Sequence, residues 1–151
     1  MYEIEIFPKD GFKNVRGEHI CREILQLGFK CVNKVEYSPL YKIDGQIDAT
    51  QARIIASELL SDKITESHNV VKDGILHNAE MAIIEVWFKK GVTDTVAESV
   101  IKAVKDLGIN KDIVVKTGHK YYIYGKVSKS VLDNIAMKLL ANTLIQEYKI
   151  K

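Results

Sequence analysis

The sequence predicts an α+β protein with two tandem ferredoxin-like βαββαβ units, each an antiparallel sheet with its helices on one face. The chain aligns with itself at an offset of 80, so that residues 1–70 match residues 81–150 without a gap and 16 of the 70 pairs are identical. Within each half, apolar residues alternate in short segments and recur at helical spacing between them. Solenoid repeats have periods of about 20 to 50 residues, so the longer offset favours a duplicated small domain.

Each repeat is predicted to begin with a strand that leads into a helix. Ile4 and Ile6 alternate with acidic residues, which is the period of a half-buried strand. A helix follows, because Ile20, Ile24 and Leu27 share one face at spacings of four and three. The second repeat carries the same pattern, with Ile84, Val86 and Phe88 in the strand, Thr93 or Asp94 as the helix N-cap, and Val96, Val100, Val104 and Leu107 on the helix face.

Two further strands are predicted in each repeat, joined by a tight antiparallel hairpin. The turn is expected at Ser38–Pro39 in the first repeat and at Gly118–His119 in the second, since only three or four residues separate the strands. The strands before the turns contain Val32, Val35 and Tyr37 or Ile113, Val115 and Thr117, and those after the turns contain Tyr41, Ile43 and Ile47 or Tyr121 and Ile123.

A second helix and a last short strand complete each repeat. The helix is expected to start near Thr50 or Ser130, where apolar residues begin to recur at the i, i+3, i+4, i+7 and i+8 positions. Residues 71–80 contain a glycine and few apolar side chains, and they predict a linker. The chain is thus divided into repeat one (1–70), the linker (71–80) and repeat two (81–151).

The sheet face opposite the helices differs between the repeats and is the candidate binding surface. In repeat one it carries Glu3, Glu5, Phe7, Lys34, Glu36, Lys42, Asp44 and Thr65, whereas apolar and aromatic residues replace most of the charges in repeat two. Aromatic residues are enriched and charged ones depleted in the cores of protein interfaces. A partner interface is therefore predicted at Ile83, Trp87, Val114, His119, Lys120, Tyr122, Tyr124 and Ile145. The alternatives are internal packing for the face and an ordinary turn for His119 and Lys120.

Composition and charge exclude several classes of function. The net charge of +2 and the scattered basic residues argue against a nucleic-acid partner. No apolar run approaches the roughly 18 residues that a membrane-spanning helix needs, and the first residues do not resemble a secretion signal, so a cytoplasmic protein is expected. Cys21 and Cys31 lack a metal or redox spacing and are interpreted as reduced packing thiols. No metal site is expected.

Three segments of repeat two carry a family resemblance. They are residues 97–108, the stretch Gly118–Ile123 and the stretch Leu140–Tyr148. In that order they resemble the first helix, the Gly-Lys-Tyr-Ile strand and the closing segment of PurS, the small subunit of formylglycinamide ribonucleotide amidotransferase, also called phosphoribosylformylglycinamidine synthase. A chain with two such repeats is similar to a single-chain pseudo-dimer of that subunit.

The resemblance implies a role without chemistry on this chain. The family's small subunit bridges a glutaminase (PurQ-type), which releases ammonia, and a synthetase (PurL-type), which uses that ammonia in de novo purine biosynthesis. No cofactor is then expected on this chain, and ATP, Mg²⁺ and glutamine are used by the partner subunits. Further self-association stays open. The residues themselves agree with this interpretation, because no phosphate-binding glycine loop and no nucleophile motif is found.

Two other functions remain open at the sequence level. Ferredoxin-like pairs also serve as small-molecule-binding regulatory domains, and fold alone does not determine function. Such a domain should bind a ligand by itself, with polar residues converging where the repeats meet. An enzyme using His119 with Lys120 or Glu147 is the other alternative, and it depends on single residues without a spaced motif.

Overall fold

The strands and helices of the computed structural model recur at the spacing of the sequence repeat. The structure describes residues 1–72 and 81–151, so most of the predicted linker, residues 73–80, lies outside the described residues. The strands are Tyr2–Pro8 (β1), Val32–Gly45 (β2), Glu66–Lys72 (β3), Met81–Phe88 (β4), Ile113–Gly125 (β5) and Gln146–Ile150 (β6). The helices are Val15–Gln26 (α1), Ala49–Ile55 (α2), Thr95–Asp106 (α3) and Lys129–Ile135 (α4), and α2 and α4 continue into the π-helical turns Ala56–Leu60 and Ala136–Leu140.

Side-chain caps start the helices where the sequence supplies them. The Asn14 side chain accepts a hydrogen bond from the Gly17 amide at the start of α1, and Asp94 does the same for Ala97 at the start of α3. Asp94 is thus the N-cap rather than Thr93. Asp48 starts α2 through a reciprocal capping box with Gln51.

The central segment of each repeat is one long strand, and the predicted hairpins are wrong. Strand β2 runs without interruption through Ser38 and Pro39, and β5 runs through Gly118 and His119. A tight hairpin would pair the two halves of one strand with each other. In the structure each half pairs instead with a half of the other long strand, so the same alternation of side chains is satisfied without a turn.

The first compact unit combines residues of both repeats: 1–12, 39–72 and 93–117 among those described. Its strands lie in the order β3-β1-β2-β5, with β1 antiparallel to both β2 and β3, and it contains α2 and α3. Repeat two supplies α3 and the first residues of β5. The buried core consists of Ile4, Ile6, Ile43, Ile55, Ala56, Ala97, Val100, Val104, Ile109 and Val115.

The second compact unit is built in the same way from residues 13–38, 81–92 and 118–151. Its strands lie in the order β2-β5-β4-β6, with β4 antiparallel to β5 and β6, and it contains α1 and α4. Here repeat one supplies α1 and the first half of β2. The buried core consists of Ile20, Ile24, Val32, Val35, Ile84, Val86, Tyr121, Ile123, Leu132, Ile135, Ala136, Leu140 and Ala141.

The predicted α+β class with ferredoxin-like units is confirmed, and the compact units differ in composition from the sequence repeats. The residues predicted to form the buried face of each first helix differ in part from those that are buried. Val96 and Leu107 are 51% and 40% exposed, and α3 is buried through Ala97, Val100 and Val104. Leu27 is exposed in the same way. The division of the chain into repeat one (1–70), linker (71–80) and repeat two (81–151) stays a prediction.

Candidate functional site

Strands β4 and β5 of the second compact unit position most of the residues that were predicted to contact a partner. In β4, Ile84 and Val86 belong to the core beneath the helices, so Ile83, Glu85 and Trp87 project from the opposite side of the strand. The register places these three residues opposite Tyr122, Lys120 and Gly118 of β5, respectively. We refer to these six positions as the β4–β5 face.

Trp87 lies flat on this face because its strand partner is a glycine. A Cβ atom added to Gly118 would fall 2.6 Å from Cε3 of the Trp87 ring, which is closer than two carbon atoms can approach. The indole is buried, with 6% of its surface exposed, and Ile83 beside it is fully buried. Both side chains therefore stabilise the folded chain, and neither is open to a partner.

Glu85 is a buried carboxylate with two donors in the described structure. Lys151 Nζ donates to Glu85 Oε2 at 2.6 Å, and the Trp87 indole Nε1 donates to Oε1 at 3.1 Å. Burial by itself raises the pKa of the Glu85 carboxyl, but the hydrogen bond and charge of Lys151, the indole N–H and the charge of Lys120 outweigh it. The pKa of Glu85 is consequently held below its ordinary value, and the side chain stays ionised and engaged.

The outer part of the β4–β5 face is aromatic and is flanked by lysines. Lys120 Nζ lies 5.0 Å from the centre of the Tyr122 ring, while Lys34 Nζ of β2 lies 5.2 Å from the centre of the neighbouring Tyr124 ring. Lys34 also pairs with Glu36 Oε1 at 2.7 Å. Burial raises the pKa of the Tyr124 hydroxyl, with a further contribution from the Glu36 charge. Tyr122 and Tyr124 are half-buried, so part of each ring is available for contact.

His119 lies on the other side of β5, among residues that cover the start of α1. The Tyr37 hydroxyl and His119 Nδ1 are 2.6 Å apart, and the Tyr37 and Tyr121 ring centres are 5.3 Å apart. The Arg16 guanidinium stacks 4.3 Å above the Tyr37 ring. Burial raises the pKa of the Tyr121 hydroxyl, against the charge of Arg16. We refer to Arg16, Tyr37, His119 and Tyr121 as the Tyr37 cluster.

The predicted hairpin position of His119 and Lys120 is therefore wrong, and the two side chains project from opposite faces of one strand. Lys120 is buried, with 4% of its surface exposed. Of the other predicted interface residues, Ile145 is 40% exposed in the turn before β6, and Val114 is 60% exposed but belongs to the first compact unit. On the β4–β5 side, the exposed part of the predicted interface in the second unit thus consists of Tyr122, Tyr124 and Ile145, while His119 is half-buried on the other side of β5.

Sequence reasoning missed Glu85 and Lys151 as a pair, and it also missed Arg16 and Tyr37. A charged residue in the middle of the otherwise apolar strand β4 is a signal for a buried, paired carboxylate. No comparable signal exists for Tyr37, since its contact with His119 joins residues 82 positions apart in a register that the hairpin prediction excluded.

The described residues contain neither a group of side chains suited to a metal ion nor a helix suited to crossing a membrane. Within 1–72 and 81–151, no group of three or more His, Cys, Asp or Glu side chains is arranged to hold a metal ion. Over the same residues, every helix is too short or too polar to cross a bilayer.

Comparison with known proteins gives one family match, which covers the second repeat. Residues 81–151 match the model of the PurS family, described as Phosphoribosylformylglycinamidine (FGAM) synthase. The family resemblance predicted from the sequence is confirmed for this segment. No curated protein matches the chain.

Proposed function

We propose that this chain, whose residues 81–151 belong to the PurS family, is the small non-catalytic subunit of FGAM synthase in purine biosynthesis. The family match carries the proposal, and it supports a role in that enzyme directly. Repeat one supports the extension to the whole chain, because its strands and helices follow those of repeat two at an offset of 80 residues. A cytoplasmic location is part of the proposal.

The proposed role is to bridge the glutaminase and the ATP-dependent synthetase so that ammonia passes from one to the other. This part depends on the family resemblance rather than on a contact of this chain. It agrees with the chemistry of the β4–β5 face, where the Glu85 carboxylate is hydrogen-bonded to a lysine and an indole. Such a carboxylate holds strands together and is poorly suited to exchange protons with a substrate.

We place the partner contact of the second compact unit at Tyr122, Tyr124 and Ile145. Each side chain is at least partly exposed, and tyrosines are enriched at the centres of protein interfaces, whose rims are polar. Ile83, Trp87 and Lys120 support the surface from within. Val114 provides a separate apolar position in the first compact unit.

A reconstitution assay tests the bridging role. The synthetase and glutaminase of the same organism are assayed for FGAM formation with glutamine and, separately, with ammonium as the nitrogen source. If the chain joins the two enzymes, it raises the glutamine-dependent rate at least tenfold and changes the ammonium-dependent rate much less. Equal rates with and without the chain for both nitrogen sources would contradict the proposal.

One observation favours a second candidate, a small-molecule-binding regulatory domain. Polar side chains from both repeats converge in the Tyr37 cluster, as that function requires. ATP, AMP and glutamine would each be added to the purified chain while its thermal unfolding is measured. A saturable rise in the unfolding temperature with one of them would favour this function, and no change with any of them would disfavour it.

A further inference from the structure

Each compact unit takes part of its core from the other sequence repeat. In the second unit, Ile20 and Ile24 of α1 belong to repeat one, yet they are buried in the same core as Ile84 and Val86 of repeat two. The first unit reverses the roles: Val100 and Val104 of α3 are buried with residues of β1 and α2. A repeat on its own would leave these helix faces exposed to water, so each repeat needs a partner to complete a core.

The contacts that join the repeats within the second unit are specific to an unlike pair. Tyr37 of repeat one meets His119 of repeat two at 2.6 Å, and Lys34 of repeat one lies over Tyr124 of repeat two. The equivalent positions 80 residues away hold different residues. Thr117 corresponds to Tyr37, Pro39 to His119, Val114 to Lys34 and Asp44 to Tyr124.

Pairing of like repeats would lose the Tyr37–His119 contact. Two copies of repeat two would bring Thr117 to His119, and Thr117 is too short to span the distance that the Tyr37 ring covers. Two copies of repeat one would bring Tyr37 to Pro39, which has no group to hydrogen-bond with the hydroxyl. Thr117 instead bonds within its own repeat, where its backbone amide and hydroxyl both donate to Asp94. The two halves have therefore diverged at matched positions.

We propose that the two repeats form a selective pair in which each recognises the other and rejects a second copy of itself. The Tyr37–His119 contact establishes this preference in both like pairs, whereas Lys34 over Tyr124 distinguishes the unlike pair only from two copies of repeat two, where Val114 replaces the lysine. The apolar helix face that one repeat would leave open to water is thus covered by the other repeat of the same chain. The inference is independent of the function proposed above, because it concerns only how the chain completes its two cores.

The first test separates the repeats without altering either one. A protease site replaces part of residues 73–80 in the full chain, which is folded, cleaved and examined by native mass spectrometry. We expect one species that contains both fragments at the mass of the intact chain. Its persistence on tenfold dilution would support the proposal, and the appearance of separate, individually folded fragments would overturn it.

The second test measures selectivity in the cleaved chain. Unlabelled and ¹⁵N-labelled cleaved protein are mixed, unfolded in urea and refolded by dilution, with the intact chain as the refolding control. The unlike pair should exceed each like pair at least tenfold by mass. A statistical 1:2:1 distribution would overturn the proposal, as would a failure of the fragments to pair under conditions in which the intact chain refolds.

A double-mutant cycle in the intact chain tests the selecting contact directly. Tyr37→Phe and His119→Ala each remove one side of the hydrogen bond, and each should raise the unfolding equilibrium constant about fivefold, in favour of unfolding. If the groups are coupled, the double variant should be little worse than either single variant. Full additivity of the two effects would overturn the role of this pair. Lys116→Ala of repeat two, at an exposed position outside both contacts, provides a control for general surface changes.

Discussion

Glu85 combines burial with a charge, and this combination makes the stability of the second compact unit depend on pH. The carboxylate is within hydrogen-bonding distance of Lys151 and the Trp87 indole, and the opposite strand position is Lys120. An isolated buried charge costs several kcal/mol, whereas one with good donors costs far less. The lowered pKa of Glu85 indicates that the ionised form is the one the fold stabilises.

We predict that Glu85→Gln weakens the acid sensitivity of the chain. The pKa of Glu85 in the folded protein lies below its ordinary value of 4.5, so the group contributes stability above about pH 4.5 and loses it as the pH falls through the folded value. At pH 7 the variant should lose about 1–3 kcal/mol in the free energy of unfolding. Urea unfolding at pH 7 and pH 3 measures both effects. A wild-type and a variant curve that fall in parallel between these pH values would contradict the assignment.

Because Gly118 has no side chain, the Trp87 ring can occupy the space beside it on the neighbouring strand. We predict that Gly118→Ala costs about 1–3 kcal/mol of stability, because the new methyl group meets the Trp87 ring at 2.6 Å. In a Trp87→Leu background the benzo ring is absent, so the same substitution should cost much less. Thermal unfolding of the four proteins measures the difference. An equal cost in both backgrounds would mean that the strand backbone, rather than the indole, requires glycine.

At the scale of elements, helix α1 is attached to strand β2 by the same residue that starts it. Asn14 Oδ1 accepts from the Gly17 and Tyr37 amides, and Asn14 Nδ2 donates to the Tyr37 carbonyl at 2.9 Å. Asp94 joins α3 to Thr117 in the same manner in the first unit. These caps set the position of each helix over its sheet as well as its first turn.

We predict that Asn14→Ala costs about 1–3 kcal/mol of stability, since it removes a helix cap and two bonds to a strand. The matched control is Asp48→Ala, which removes the side-chain cap of α2 and leaves the bond from the residue-48 amide to Gln51 Oε1 in place. The control should cost about 1 kcal/mol. Urea unfolding of both variants gives the comparison, and an equal loss would indicate that the bonds to Tyr37 contribute nothing to stability.

The sequence was sufficient to predict most elements, and the exception has a physical reason. Periodicity identified β1, α1 and α2 with their repeats, because the side of each element that faces the core depends on local spacing. Ser38–Pro39 and Gly118–His119 have the composition of turns, but they lie inside long strands. An exchanged strand makes the same kinds of contact as a hairpin strand, so local patterns do not distinguish them. For that reason the Tyr37 cluster was not foreseeable.

At the scale of the whole molecule, a duplicated sequence has given two compact units, each with segments of both repeats. Covalent linkage lets the copies diverge, and the divergence is visible on the second unit, where Trp87 and Tyr122 stand at positions that hold Phe7 and Lys42 in repeat one. Burial of Trp87 assigns it to the stability of this chain. Any difference between the repeats in binding a partner therefore depends on the side chains that remain exposed.

The matched turns that precede β3 and β6 offer a direct comparison of the repeats in assembly. Ile145 is 40% exposed in the turn of repeat two, and Ile64, one position before the residue that matches Ile145, is 77% exposed in the equivalent turn of repeat one. We predict that Ile145→Asp lowers the affinity for the FGAM synthase partners at least tenfold, since a charge at an apolar contact must be desolvated on binding. Ile64→Asp should change this affinity less than twofold, and both variants should keep their unfolding temperatures within a few degrees because the side chains are exposed.

Affinity is measured by titrating each variant into the immobilised synthetase and glutaminase, separately and together. If Ile64→Asp weakens binding and Ile145→Asp does not, the contact belongs to repeat one, and the aromatic character of the β4–β5 face serves folding alone. Equal weakening by both would mean that the two turns contribute symmetrically, as in a pair of identical subunits. Selective loss with Ile145→Asp is the result expected of a chain whose halves have taken different roles: repeat two contacts the partner enzymes, while repeat one completes the cores that hold its strands in place.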